Sequence, residues 1–340
     1  NSQIFMRNFI LLKKRYIVYF FLFLPFIAEG EPGDLIEYNY QESFDLTAIE
    51  IGLAIVGGLG FATPEYTISC YDIKYESENS EGNLDTLSGL VVIPNSVTQA
   101  FPILSYQRGT GILDIEAPSI SGLSLSNLEV FLVGYLATSS GFITLIPDYV
   151  GLGNPNIYHP YHIKDSYIRA VVDMIRAAKQ LSKFLPIENS FQNNDQVFLA
   201  GYSEGGYATL AAQSGIESNY SEEITITASF PMAGAYDLAG TMVDYFLSEP
   251  EYENPYYVPY VLTSHIWYYQ GVNTDLNMYF EPYWAENLPT LYNGTFSGSQ
   301  INNLLPDNVL DILKDSVLID FTNNEDQFLR QTLSQNTLLD

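Results

Sequence analysis

Four short apolar runs, each followed by a longer polar or helical stretch, constrain this chain more than any other feature. They are Phe101–Tyr106, Gly141–Tyr149, Gln196–Gly201 and Ile224–Gly234, rich in branched and aromatic residues. Between the second and third, Tyr167, Ala170, Val171, Met174, Ile175, Ala178 and Leu181 recur at helical spacing. Asp165 or Ser166 is placed to cap that helix, and Pro186 to close it. A strand that is apolar throughout cannot leave one face in water, so such strands belong to a sheet covered on both sides. Their alternation with helices predicts a mostly parallel sheet and an α/β fold. Two more strands are expected ahead of them, Tyr66–Tyr75 and Leu87–Pro94, joined by the polar turn Glu76–Asp85. Glu31–Asp45 reads as an acidic lead-in, and Ala48–Phe61 as an apolar segment.

The texture changes near Tyr236. The stretch to residue 335 is aromatic, Pro-punctuated and helix-like, with at most a brief strand within Ser316–Phe321. Residues 31–235 therefore read as the core and 236–335 as a helical cap inserted into it. Residues 1–30 read as an export signal: Arg7, Lys13, Lys14 and Arg15 precede the apolar run Ile17–Ala28, with small residues at Ala28 and Gly30. The expected location is outside the cell or in a periplasm.

With 340 residues, 47% hydrophobic and 14% aromatic, the chain has ample material for a packed core. Against 13 basic residues stand 40 acidic ones, a net charge of −27. Such a surface repels nucleic acid and anionic lipid headgroups, so neither is expected as a partner. Cys70 is the single cysteine, which excludes an internal disulfide, and its strand-like surroundings predict a buried packing residue. No CxxC, HExxH or EF-hand spacing occurs, so no metal site is expected.

Chemistry enters with Gly201-Tyr-Ser203-Glu-Gly205, which lies between the run Gln196–Gly201 and a small-residue helix containing Gly206, Ala208, Ala211 and Ala212. In a G-x-S-x-G turn the chain passes from strand to helix so tightly that the serine backbone is strained and its hydroxyl stands above the sheet. The helix start behind it offers free N–H groups to a developing oxyanion. The segment Ser105–Ile112 leaves the strand before and can lend a second donor from its Gly-containing turn. His159 and His162 lie in a Pro-flanked loop ahead of the serine and are expected to serve loop packing.

Four stretches in this order, "SYQRGTG", "PDYVGLGNPNIYHPY", "GYSEGG" and "PMAGAYDLAGTM", resemble the secretory lipase family of α/β-hydrolases from about Tyr66 onward. The resemblance implies an α/β-hydrolase fold, a helical cap over the site, and a serine esterase or lipase that needs no cofactor. It assigns Ser203 as nucleophile and the backbone N–H groups of Gly109, Thr110 and Glu204 as oxyanion donors. Arg108 departs from the family, which usually shows histidine in "YQHGT".

The expected triad order is Ser, then Asp or Glu, then His. His265 is the one histidine after Ser203, and it falls in cap sequence where an amphipathic helix residue is the simpler reading. Asp307, Asp311, Asp315, Asp320 and Asp326 follow no strand. The expectation is that two further core strands, the catalytic acid and the catalytic histidine lie beyond Asp340. The substrate class is a small-molecule or lipid ester cleaved through an acyl-enzyme, with room for transient contact with a lipid interface. A non-catalytic binding relative and a serine peptidase on the same fold stand as alternatives.

Overall fold

In the computed structural model, which describes residues 30–57, 60, 63–79, 82–154, 157–249, 251, 253–323 and 327–339, the apolar runs pair into one sheet. The expected export signal, apart from Gly30, lies outside the described residues. Seven strands, β1 (Leu35–Phe44), β2 (Ile68–Glu78), β3 (Leu84–Pro94), β4 (Ala100–Gln107), β5 (Ile143–Pro147), β6 (Gln192–Tyr202) and β7 (Ile226–Met232), stand in the order β1-β2-β3-β5-β4-β6-β7. Neighbours among β5, β4, β6 and β7 pair in parallel, while β1, β2 and β3 join at one side antiparallel.

The sheet is covered on both faces, and β3 shows why its sequence reads as continuously apolar. Val91 and Ile93 pack with the long helix α4 (Lys164–Phe184), whereas Leu90 and Val92 pack on the other face with α1 (Leu46–Ile55) and α3 (Leu128–Ser139). A short helix, α2 (Pro118–Ser121), precedes α3. On α4, Ile175 and Leu181 are wholly buried, each worth about 1.5–3 kcal/mol relative to exposure. Helix α5 (Glu204–Gly215) follows β6 and packs beside α4.

Beyond β7 come α6 (Val243–Ser248), α7 (Tyr257–Gln270), α8 (Pro282–Leu291), α9 (Gly298–Asn302), α10 (Asp315–Asn323) and α11 (Phe328–Gln335). The one extended pairing described there is the isolated bridge Phe280–Leu313. Phe280, Ile301, Val309 and Leu329 are wholly buried and belong to the same apolar cluster as α4 and α5. These helices are therefore packed onto the sheet layer and share its core.

Three expectations about elements need correction. Glu31–Asp45 is no mere lead-in, because it holds β1, an edge strand with no buried residue that pairs with β2. The segment Ser316–Phe321 is helical, since Val317 and Phe321, four apart, bury one face of α10. Helix α4 starts at Lys164 with Ile163 in the cap position and no side-chain cap, so neither Asp165 nor Ser166 fills that role. Cys70 is free and buried, and burial pushes its thiol pKa up.

The register brings the ends of three strands level. Gly201 of β6 pairs with Gln107 of β4 on one side and with Pro231 of β7 on the other. The loops leaving these carboxyl ends must converge, and in parallel α/β sheets that is where ligands sit.

Candidate active site

Ser203 stands at the end of β6 with φ 58° and ψ −121°, and α5 starts at the next residue. A side chain enters this region only when its surroundings force it. They do so here by contact on three sides. The Ser203 N–H donates to the Met232 carbonyl at the end of β7, 2.9 Å away. A methyl on Gly205 would overlap the Gln107 carbonyl at the end of β4, and one on Gly201 would overlap the Gly205 carbonyl. Both glycines are thus needed for close approach, which lets helix α5 begin directly against β4. Tyr149 after β5 and Ala233 after β7 also have positive φ, at 68° and 52°. Backbone strain is gathered at the ends of three strands that face one site.

The turn after β4 lies beside this corner, as expected, but its donors are not equivalent. The Gly109 N–H donates to both carboxylate oxygens of Glu129 on α3, at 3.0 and 3.2 Å. It is already committed, so Gly109 does not supply a free oxyanion donor in this conformation. Tyr106 binds the same carboxylate through its hydroxyl at 2.7 Å. The Thr110 hydroxyl meets the Tyr161 hydroxyl at 2.9 Å, and Glu204 is the first residue of α5, directly after Ser203. Nothing in the sequence pointed to Glu129, which comes 20 residues later and reads as ordinary helix.

Arg108 is buried at 4% exposure and folds its guanidinium against Gly111, where a methyl would overlap it. Its carbonyl accepts from the Tyr149 hydroxyl at 3.0 Å. The loop is thereby held through its backbone, which explains how arginine serves where histidine was expected.

His159, His162 and His265 account for all histidines in the sequence, and all three are buried. His159 bonds through Nε2 to Glu204 Oε1 and through Nδ1 to the Val150 carbonyl, both at 2.8 Å. His162, with φ 57°, lines the same cavity as Ser203, and its ring lies 4.2 Å from that of Tyr161 and 4.6 Å from that of Tyr207. Burial lowers its pKa to about 4, its Nδ1 has no partner among the described residues, and no carboxylate orients it. His265 sits inside α7 and is held to about 3, again by burial. No hydrogen bond joins any of them to the Ser203 hydroxyl. Asp307, Asp311, Asp315 and Asp320 are exposed, and Asp326 lies outside the described residues. The sequence reading missed that His162 shares the serine's cavity and that the Glu204 side chain bonds His159 and Tyr167. A clue existed in Pro160, which rigidifies the chain between the two loop histidines.

The cavity over Ser203 has a volume of about 280 Å³. Tyr161 and His162 come from the loop after β5, Leu238 from a helical turn after β7, and Tyr257 and Leu262 from α7. Its walls are chiefly apolar, and Ser203, Glu204 and His162 are among the polar residues that line it. No group of three or more His, Cys, Asp or Glu among the described residues could hold a metal ion. No helix among them is long and apolar enough to cross a membrane.

Comparison with known proteins bears on the fold and the type of activity. A family model described as secretory lipase matches residues 116–243, which include Glu129, His159, Ser203 and Glu204. A search of curated proteins finds no match. Among solved structures, the chain is similar to a ligand-bound form of the rice cell wall degrading esterase LipA from Xanthomonas oryzae, with 26% identity and a TM-score of 0.79 over 91% of this chain and 80% of that one. It is also similar to a hydrolase from Legionella pneumophila, with 26% identity and a TM-score of 0.78 over 89% and 79%. Candida antarctica lipase A in its closed state, at 20% identity, TM-score 0.62 and coverage of 91% and 65%, shares the fold. The fold is that of an α/β-hydrolase, and family and neighbours together support a lipase or esterase type of hydrolase.

Proposed function

We propose that this chain is the nucleophile-bearing part of a secreted carboxylester hydrolase that works through an acyl-enzyme on Ser203. The observation that carries the proposal is the strained Ser203 at the β6–α5 corner, opening into an apolar cavity beside the turn Gly109–Gly111. In the first step Ser203 Oγ bonds to the ester carbonyl carbon and its proton passes to a histidine base. The carbonyl oxygen becomes an oxyanion held by the N–H groups of Thr110 and Glu204. Collapse of the tetrahedral intermediate expels the alcohol, which leaves with the proton. Water, activated by the same base, then releases the acid and restores the hydroxyl.

The base proposed is a histidine other than His159, His162 and His265, approaching with its carboxylate partner along β7, the edge strand at the parallel side of the sheet. His162 is a poor candidate because burial opposes the charge a base must acquire. Residues 236–335 act as the cap in this reading. The cap's Tyr257 and Leu262 favour an apolar acyl group over a charged one, which fits lipid or aryl esters and leaves room for transient contact with a lipid interface.

The test uses the full-length protein with a fluorophosphonate probe and p-nitrophenyl esters of increasing chain length. Labelling and turnover that both vanish in S203A support the reading. Labelling that persists in S203A, or no turnover of any ester by labelled protein, rejects it. Faster cleavage of aminoacyl amides than of esters would move the assignment to a peptidase. A protein that neither labels nor turns over would be a binding relative.

A further inference from the structure

A line of hydrogen bonds runs behind the nucleophile, and its two ends decide the direction of every bond in it except the one between His159 and Glu204, which the charge on Glu204 decides. At one end the His162 backbone N–H can only donate, and its partner is the Tyr167 hydroxyl at 3.1 Å. Having accepted there, Tyr167 gives its own proton to Glu204 Oε1 at 2.8 Å. At the other end the Val150 carbonyl can only accept, so His159 Nδ1, 2.8 Å away, carries a proton. His159 Nε2 lies 2.8 Å from the same Glu204 Oε1, and an ionised carboxylate there accepts. Both ring nitrogens are then donors.

We infer that His159 and Glu204 form a buried imidazolium–carboxylate pair, and that the imidazolium neutralises Glu204 so that the N–H of the same residue can hold an oxyanion. The second half of this inference rests on the proposed reaction at Ser203; the first half does not.

The surroundings favour the charge-separated form over a neutral one. Four tyrosine rings enclose His159: Tyr149 and Tyr167 at 5.9 Å and Tyr161 and Tyr260 at 6.0 Å between centroids, with Tyr149 nearly parallel at 15°. A ring face turned toward a cation attracts it, and of the four rings Tyr149 is the one stacked on the imidazole. Glu204 opens α5, where the helix dipole favours an anion. Burial works against its ionisation, but the charge and hydrogen bond of His159, followed by His162 and Arg108, outweigh it and leave its carboxyl below the usual range. Glu204 Oε2 is buried with no partner among the described residues. A carboxylate so placed is costly without a positive neighbour, and it would repel the oxyanion that its own N–H is to bind. His159 removes both difficulties at once. The Ser264 hydroxyl, on α7, donates to the His159 carbonyl at 2.9 Å, so the cap holds the residue that carries the charge.

Nitrogen-15 spectroscopy of the full-length protein, labelled at histidine, tests the pair without relying on activity. At pH 7 one of the rings of residues 159, 162 and 265 is expected with both nitrogens protonated and the other two neutral. The doubly protonated ring is expected to disappear in E204Q. Three neutral rings at pH 7 would overturn the pair.

Ester turnover then tests its purpose. H159Q strands the Glu204 charge and is expected to lower kcat by about 10- to 100-fold, in the range of oxyanion-hole losses, with KM within about twofold. Adding E204Q to H159Q is expected to restore kcat to the level of E204Q alone, a rescue that simple loss of packing cannot produce. A double variant slower than either single one would overturn the neutralising role. The exposed pair Arg176–Glu223, at 2.6 Å, supplies E223Q as a control that leaves kcat unchanged. If the wild type hydrolyses no ester, the reading of Ser203 and the neutralising role both fall, while the spectrum still judges the pair. If H159Q does not fold, the wild-type spectrum and E204Q carry the test.

Discussion

At Ser203 a φ of 58° is held by neighbours rather than preferred by the residue, at a cost of about 1–3 kcal/mol. Glycine has no Cβ to strain there, so S203G is expected to be more stable than S203A by about 1 kcal/mol although both lack the hydroxyl. Equal melting temperatures for the two would show that the corner stores no strain. Gly205 should behave in the opposite way. Its neighbour across the gap is the Gln107 carbonyl, itself part of β4, so the overlap cannot be relieved by turning a side chain. G205A is expected to lose at least about 3 kcal/mol, near the upper end for single substitutions, in urea denaturation, while A208G on the same helix loses about 1 kcal/mol. A tolerated G205A would mean that α5 can slide away from β4. The strained corner at Ser203 and the close approach at Gly205 were legible because a local pattern of five residues encodes both. The Glu204–His159 bond was not, since 45 residues separate its partners and neither flank of His159 shows which residue will cover it. The Gly109–Glu129 bond was hidden for the same reason, as the carboxylate that takes the N–H arrives on another element.

Elements were legible in proportion to how completely they are buried. Strand β5 is buried at each of its five residues, and the continuous apolar run announces it. Strand β1 has no buried residue, so nothing in its own sequence separates it from an acidic loop; its strand character comes from pairing with β2. Helix α7 lies between these extremes. Its aromatic sequence suggested a helix, but an amphipathic one, whereas nine of its 14 residues are buried, His265 among them. The pH consequence follows from linkage. The folded state holds His265 neutral until about pH 3 and His162 until about pH 4, while in the unfolded chain both accept a proton near pH 6.5. Below about 6.5 the unfolded state therefore binds more protons, and stability falls as pH falls toward 4, by about 1.4 kcal/mol per pH unit for each histidine. H265L removes one of the two. Its urea-denaturation stability is expected to decline less steeply than wild type between pH 5.5 and 4, by about that amount per unit. Parallel declines would show that His265 is not held neutral by the fold.

Across the whole molecule the dominant electrostatic fact is imbalance. Forty acidic residues face 13 basic ones, and four ion pairs are found among the described residues, one of them the buried His159–Glu204 contact. Most carboxylates therefore have no cation beside them, and their mutual repulsion acts against the compact state. Salt should relieve it. The screening length falls from about 30 Å at 0.01 M to about 8 Å at 0.15 M and about 3 Å at 1 M, so repulsion between distant carboxylates is lost first, well before close pairs weaken. The Lys74–Glu37 contact at 3.0 Å is exposed on both sides, and solvent screens contacts of that kind so strongly that they contribute too little to reverse the balance. The melting temperature is therefore expected to rise by several degrees between 0.01 and 0.5 M sodium chloride, with most of the gain complete by 0.15 M. Ammonium sulfate, which also strengthens apolar burial, should raise it further at equal ionic strength. A melting temperature that falls with sodium chloride would mean that the few ion pairs outweigh the many unpaired carboxylates. The same field bears on substrate choice: an anionic surface disfavours approach to anionic lipid, so hydrolysis of esters in zwitterionic vesicles should exceed that in anionic vesicles at low salt, and the difference should close as salt is added.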